Sequence, residues 1–335
     1  MLVELDKLER LRALLRSYGS CLVAYSGGVD SAFLAYMARE VLGDKSLAAI
    51  ADTPSLPRRE LAQALALAQE FQIRVRVLRT REFDNPNYLA NPKDRCYFCK
   101  HELFTELGAL AKAQGLAVLA YGENASDTGD YRPGGRAAAE FQVRAPLREA
   151  GLTKPEIRKL SARLGLPTAD KPQMACLSSR VPYGEAVTPE KLDMIEQAEN
   201  VLRDLGFHDV RVRHHELPMA NGPGPIGNAG ASFGSPLQPA PPSNREPAPS
   251  RVGPQHRLSA IAYPLCLGPA PSRVGPRPAG RPQLARIEVG RGEMGKFLED
   301  GMASKVAEAL RQIGYAHVTL DLQGYRRGSA NEATG

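Results

Sequence analysis

The chain has 335 residues, 43% of them hydrophobic and 24% charged, with a net charge of +6; this is the balance of a soluble globular protein with material for one or two domains. No stretch approaches the ~18 apolar residues of a membrane span, and Met1-Leu2-Val3-Glu4-Leu5-Asp6-Lys7 lacks the basic region and apolar core of a signal peptide, so a cytoplasmic protein away from membranes is expected. Nucleic acid is not expected as a partner, because Arg245, Arg251, Arg257, Arg273, Arg277 and Arg281 are offset only by Glu246 within residues 217–283, which places +5 there and leaves +1 elsewhere.

Cys21-Leu22-Val23-Ala24-Tyr25 reads as a buried strand. It breaks at Ser26-Gly27-Gly28-Val29-Asp30-Ser31 and re-enters a helix over residues 31–41. A strand that breaks at two glycines and turns into a helix aims several backbone N–H groups into one concavity, where the helix dipole adds positive charge; that concavity suits a phosphate. The lysine followed by Ser or Thr that a phosphoryl-transfer loop requires is absent, as is the dinucleotide fingerprint G-x-G-x-x-G. The loop resembles instead the pyrophosphate loop of the ATP pyrophosphatase (PP-loop) superfamily, which splits ATP into AMP and pyrophosphate. That resemblance implies that Ser26, Gly27, Gly28 and Ser31 cradle the β- and γ-phosphates while Asp30 helps to hold Mg²⁺.

Strand and helix then alternate. Residues 46–51 read as a buried strand, 57–72 as a helix opened by Pro57, and 73–78 as a strand with one wetter face. Residues 95–114 read as a helix closed by Gly115, and 116–121 as a fourth strand. The expectation is an α/β fold with a doubly wound parallel sheet over residues 1–170, like the adenine nucleotide alpha hydrolases, and ligands outside the carboxyl ends of the strands. Asp52 after the second strand and Gly122 and Asp127 after the fourth are therefore candidates for meeting an adenosine and a second metal carboxylate. Helix capping is the competing role for Asp52 and Asp127.

Four further stretches stand out: Asn91-Pro92-Lys93-Asp94-Arg95-Cys96-Tyr97-Phe98-Cys99-Lys100, Tyr121-Gly122-Glu123-Asn124, the run from Asp170 to Gly184 that contains Cys176, and Asp321-Leu322-Gln323-Gly324-Tyr325-Arg326. In combination they resemble the LarE family of ATP-dependent sulfur transferases. The resemblance covers about residues 10–216 and 284–332. It implies adenylation of a carboxylate on a pyridinium dicarboxylate mononucleotide and replacement of its oxygen by sulfur. The product is a thiocarboxylate on the way to the nickel-pincer cofactor of lactate racemase, with other maturation enzymes of that cofactor as partners. A homo-oligomer is compatible with this reading.

The residues agree with such chemistry on their own terms. A carboxylate oxygen is too poor a leaving group for sulfur to displace, and an acyl-adenylate made by a pyrophosphate-releasing loop removes that obstacle. Cys176, with Arg180 close by in sequence to favour its thiolate, is the candidate nucleophile. Two routes for the sulfur stay open. Cys176 could surrender its own sulfur, leaving dehydroalanine, or Cys96, Cys99 and Cys176 could hold three irons of a [4Fe–4S] cluster with the fourth iron open to a sulfide. A Cys₃His zinc site using His101 is a third arrangement of these side chains, whereas Cys21 and Cys266 read as inert. A tRNA thiolase, which also joins an adenylating loop to three cysteines, is the alternative function.

The later chain reads as a smaller α/β lobe. Thr188 and Pro189 open a helix to about residue 205. Residues 210–215 alternate, placing Arg211, Arg213 and His215 on one strand face, and the family resemblance gives Arg211 and Arg213 the substrate phosphate, with Glu199, Asp321 and Arg326 nearby. Residues 284–289 and 317–322 read as strands flanking a helix. The expected division is a first domain over 1–170, a substrate and sulfur-transfer lobe from 171–216 and 284–327, and a tail over 328–335. Residues 217–283 depart from the family, with 16 of the 27 prolines, no Lys, no Asp and the octapeptide Pro-Ala-Pro-Ser-Arg-Val-Gly-Pro twice, and they read as a disordered insertion.

Overall fold

A computed structural model describes residues 2–127, 133–218 and 281–326. The expected disorder of the insertion and the fate of Cys266 lie outside these residues. The described residues up to 217 and from 282 onward belong to one compact unit.

The chain opens with helix α1 (Leu2–Tyr18), followed by β1 (Cys21–Ala24), α2 (Val29–Leu42), β2 (Ser46–Asp52), α3 (Arg58–Glu70) and β3 (Val75–Arg79). A short helix α4 (Pro86–Leu89) leads to the long α5 (Arg95–Ala113) and to β4 (Val118–Tyr121). The order β3-β2-β1-β4 is parallel throughout, the doubly wound sheet expected from the alternating pattern. Both faces of β1 are covered, as a central parallel strand requires. Cys21 and Val23 join an apolar cluster with α1 and α2, and Leu22 joins another with α5. Because the order reverses between β1 and β4, a crevice opens outside their carboxyl ends.

Helices α6 (Pro133–Glu140), α7 (Pro146–Glu149) and α8 (Lys154–Arg163) finish this half of the unit. Neither they nor α1 were expected from the sequence. The buried Leu8, Leu11 and Leu15 on α1, at helical spacing, are the signal that could have found it. For α8 it is a capping box, in which Thr153 and Glu156 satisfy each other's backbone N–H groups.

Beyond them come α9 (Pro189–Asp204), β5 (Val210–Glu216), β6 (Gln283–Val289), α10 (Met302–Ile313) and β7 (His317–Leu320). Thr188 caps α9 by accepting from the Lys191 N–H at 3.3 Å. These elements make a separate sheet in the order β5-β6-β7, with β5 and β6 antiparallel and β6 and β7 parallel. Its core joins Met194, Ala198 and Leu202 of α9 to Val212, Ile287, Val289 and Leu310. The ladder runs to the pair Glu216–Gln283, and the Leu217 N–H donates to the Pro282 carbonyl at 2.8 Å, so the chain leaves and re-enters the sheet on adjacent strands.

Candidate active site

The loop after β1 is held closed by its own hydroxyls. Ser26 Oγ and Ser31 Oγ are 3.0 Å apart, the Ser26 N–H donates to Ser31 Oγ at 3.1 Å, and Ser31 Oγ donates to the Gly28 carbonyl at 3.1 Å. Gly27 sits at φ +71°, and a Cβ there would stand 2.7 Å from that of Ala64 on α3, so glycine is required twice over. Gly122, at the end of β4, has the same need from the other side of the crevice: a Cβ would meet the Ser31 nitrogen at 2.9 Å. The structure thus brings Ser26, Gly27, Gly28, Ser31 and Gly122 together.

Asp30, in the first turn of α2, faces the same crevice. Lys154 on α8 pairs with its Oδ2, while Oδ1 is buried without a partner among the described residues. Burial pushes this carboxyl up, Lys154 pulls it down, and the neighbouring Asp127 pushes it up again. A buried carboxylate oxygen with spare capacity, near a second carboxylate, fits Mg²⁺, which is commonly held by one or two carboxylates together with substrate phosphates. Asp127 also accepts from the Asn124 N–H at 3.1 Å, so its capping role is real as well.

Asp52 stands apart. It pairs with Arg58, whose second nitrogen donates to the carbonyls of Thr53 at 2.7 Å and Leu56 at 2.8 Å, so this carboxylate braces the approach to α3. Two lysines escaped the sequence reading. Lys154 is one, and Lys171 is the other, with Nζ 2.6 Å from Glu60 and 3.2 Å from the Gly27 carbonyl. Their partners lie 124 and 144 residues away in the chain, beyond any local pattern.

The cysteines come from two segments. Cys96 and Cys99 lie on the first turns of α5, and Cys176 immediately precedes a 3₁₀ turn, Leu177–Arg180. The three thiols are within electrostatic reach of one another: crowding by neighbouring side chains desolvates and pushes up both Cys99 and Cys96, the latter although its residue keeps contact with solvent, and the Cys176 sulfur pushes each further. Cys176 and Cys96 are exposed and Cys99 is half-buried. Among the described residues no group of three or more His, Cys, Asp or Glu side chains is arranged to hold a metal ion. The thiols are neighbours but are not arranged as the ligand set of an iron–sulfur cluster. His101 packs edge-on against Phe141 at 5.0 Å and belongs to an aromatic cluster. Cys21 is wholly buried in β1, its thiol pushed up to about 12 by burial.

Arg180 interacts electrostatically with Cys176, as its place in the sequence led one to expect, but it also has a structural task. It is wholly buried and binds Glu199 through Nε at 2.8 Å and a second nitrogen at 3.2 Å, while donating to the carbonyls of Ala175 at 2.7 Å and Cys176 at 3.0 Å. Its charge is paired with Glu199 and its hydrogen bond to Cys176 is to the main chain, while the Cys176 thiol adds a weaker electrostatic attraction. Arg180 braces the loop that carries Cys176.

Arg211 and Arg213 do share a face of β5, but differently from a plain phosphate clamp. Arg213 is committed to Glu288, at 3.0 and 3.2 Å, and to the Ser179 carbonyl at 2.7 Å. Arg211 donates to the Tyr325 hydroxyl at 3.0 Å, lies 4.7 Å from the centre of its ring, and keeps one buried nitrogen without a partner among the described residues. Burial and the nearby Arg180 push the Arg211 guanidinium down, a strain that an anion would relieve. Asp321 lies 3.8 Å from Arg286, at the β7 end of this sheet.

The chain is similar in sequence to known proteins. The family model for NAD synthase matches residues 8–86, the segment from α1 past β3 that contains the loop. An uncharacterised protein of Synechocystis sp. is 37% identical over 326 residues, 97% of each chain. The pyridinium-3,5-bisthiocarboxylic acid mononucleotide synthase of Lactiplantibacillus plantarum is 28% identical over 327 residues, covering 97% of this chain and 94% of that one. A glutamine-hydrolysing GMP synthase component of Thermoplasma volcanium is 26% identical over 215 residues, 59% of this chain and 68% of that one.

Proposed function

Because this chain belongs to the LarE family, within the PP-loop ATP pyrophosphatase superfamily, we propose that it is an ATP-dependent sulfur transferase acting on a carboxylate of a pyridinium dicarboxylate mononucleotide in nickel-pincer cofactor biosynthesis. The observation that carries the reading is the crevice itself: a hydroxyl-closed glycine loop, a glycine-only approach from β4, and a buried carboxylate oxygen with spare capacity, all outside the carboxyl ends of two parallel strands.

In this reading the N–H groups of residues 26–31 and the start of α2 receive the β- and γ-phosphates. Asp30 and Asp127 would hold Mg²⁺, whose charge screens the phosphates from the attacking carboxylate. Lys154, which pairs with Asp30, would stand within reach of phosphate oxygens in the same crevice. The substrate carboxylate attacks the α-phosphorus and pyrophosphate leaves, giving the acyl-adenylate. Cys176 Sγ then attacks the acyl carbon and AMP departs with the electron pair, leaving a thioester. Removal of the Cys176 Cα proton, with cleavage of its Cβ–S bond, yields the thiocarboxylate and dehydroalanine. Arg211, with its unsatisfied nitrogen, receives the mononucleotide phosphate, while Glu288 and Arg213 support the strand.

The test is product analysis with ATP, Mg²⁺ and the pyridinium dicarboxylate mononucleotide. AMP, pyrophosphate and a thiocarboxylate are expected in equal amounts, with the enzyme lighter by one H₂S. ADP as the product, or a transfer that leaves the mass of the protein unchanged, contradicts the mechanism.

A further inference from the structure

Arg95 is a buried cation, 4% exposed, at the start of α5 beside Cys96. One of its nitrogens donates to Asn91 Oδ1 and, at 2.9 Å, to the main-chain carbonyl of Ser178, two residues past Cys176. Burial works against its charge, and the groups that favour it most are the thiols of Cys176 and Cys96, followed by the phenols of Tyr88 and Tyr183. A guanidinium taken out of water is ordinarily matched to a carboxylate. Here, among the described residues, its hydrogen-bond partners are a neutral amide, a peptide carbonyl and the thiol of Cys96, so the charge is directed at the cysteine-bearing turns and not at a carboxylate.

The groups around it all fasten the same short segment. Asn91, at φ +54°, reaches across with Nδ2 to the carbonyls of Val181 at 3.3 Å and Pro182 at 2.7 Å. Ser178 itself is wholly buried, its hydroxyl closing a triangle with Ser55 at 2.7 Å and Tyr88 at 2.8 Å, the last two being 2.6 Å apart. The Leu177 N–H donates to the Ser55 carbonyl at 2.9 Å. The segment after Cys176 is thus fixed by main-chain and hydroxyl bonds to the approach to α3 and to α4, and Arg95 alone among these groups ties it to the helix bearing Cys96 and Cys99.

We propose that Arg95 is a positioning residue for sulfur delivery: by clamping the Ser178 carbonyl and Asn91 together it holds Cys176 against the Cys96–Cys99 turn. The clamp draws both hydrogen bonds from one guanidinium nitrogen; lysine keeps the charge on a flexible stem without the fixed planar geometry, and glutamine can meet the acceptors only without charge. The inference rests on the proposed function only in naming Cys176 as the sulfur donor, and its test reads thiol geometry without ATP or acceptor. A failure of sulfur transfer would therefore leave it standing, and the converse holds as well.

The experiment treats the full chain with dibromobimane, which fluoresces when it bridges two nearby thiols, and maps the bridges by peptide mass spectrometry. In the parent protein Cys176 should be bridged to Cys96 or Cys99. In Arg95→Gln the bridged fraction should fall about tenfold, as expected for loss of a charged hydrogen bond, while single labelling of Cys176 by iodoacetamide does not fall. Arg95→Lys should give an intermediate yield, a partial rescue that a general loosening of the fold would not produce. If Arg95→Gln does not fold, Arg95→Lys carries the test alone, with a reduced yield expected. No bridge in the parent protein, or an undiminished bridge in the folded variant, overturns the proposal.

Discussion

Asp30 shows how one side chain can be both paired and available. Its Oδ2 is matched by Lys154 and its Oδ1 by nothing among the described residues, so the position is neutral enough to be buried and still open to a cation. Asp30→Asn keeps the shape and removes the charge, and release of AMP and pyrophosphate should drop about 100-fold, the size of effect seen when one preorganised electrostatic group is lost; a phosphate-release assay reads it directly. Cys176 should behave in the opposite way. Activation and sulfur delivery use separate groups, so Cys176→Ala should abolish thiocarboxylate formation while pyrophosphate release persists in the first turnover. Cys96→Ala then reports on the neighbouring thiols: one equivalent of product and loss of one H₂S would show that Cys176 acts alone. The loop was legible from Ser26 to Ser31 because the glycine at φ +71° has few substitutes and two hydroxyls at this spacing close the turn. Arg95 was not, since an arginine beside a cysteine looks the same in sequence whether it is solvated or buried.

Among the elements, α8 carries the most consequence for its length. Its capping residue Glu156 accepts from the Thr153 N–H at 2.8 Å and hydroxyl at 2.7 Å and from Lys7 on α1 at 2.8 Å, so one carboxylate caps a helix and fastens another to it. Burial alone would push Glu156 up, but Lys7 and Thr153 outweigh it and hold the carboxyl at about 2, against an ordinary 4.5. A depressed carboxyl stabilises the fold above its unfolded value and ceases to do so as pH falls through the folded one. The melting temperature of Glu156→Gln should accordingly lie below that of the parent protein at neutral pH, and the gap should close between pH 4.5 and about 2. A gap that is constant across that range would mean that the bridge contributes packing alone. The parallel strands were legible because a sheet covered on both faces needs unbroken apolar runs. On β5 the alternation correctly put Arg211 and Arg213 on one face but could not show that Glu288, from a strand 75 residues on, already occupies Arg213.

At the scale of the whole molecule, the pairing of β5 with β6 decides what residues 218–281 can cost. Their flanks are held by the rung Glu216–Gln283 and by the Leu217–Pro282 hydrogen bond, so a short turn can replace them without moving either strand. Going from 64 residues (281 − 218 + 1) to about 8 removes three doublings of loop length, worth about 2 kcal/mol in closure entropy. For a unit of this size that corresponds to a melting temperature higher by about 4–8 °C. Differential scanning calorimetry of the deletion checks it, and a deletion that melts lower would mean that the segment contributes packing to the fold. The same rung has a consequence for the gene. A locus whose encoded ends sit side by side on neighbouring strands can lengthen by copying, as the doubled Pro-Ala-Pro-Ser-Arg-Val-Gly-Pro indicates, and each new copy changes a stretch that the β5–β6 register does not read. Homologous genes should therefore drift in length at this one place, with the codons on either side keeping their frame to the sheet.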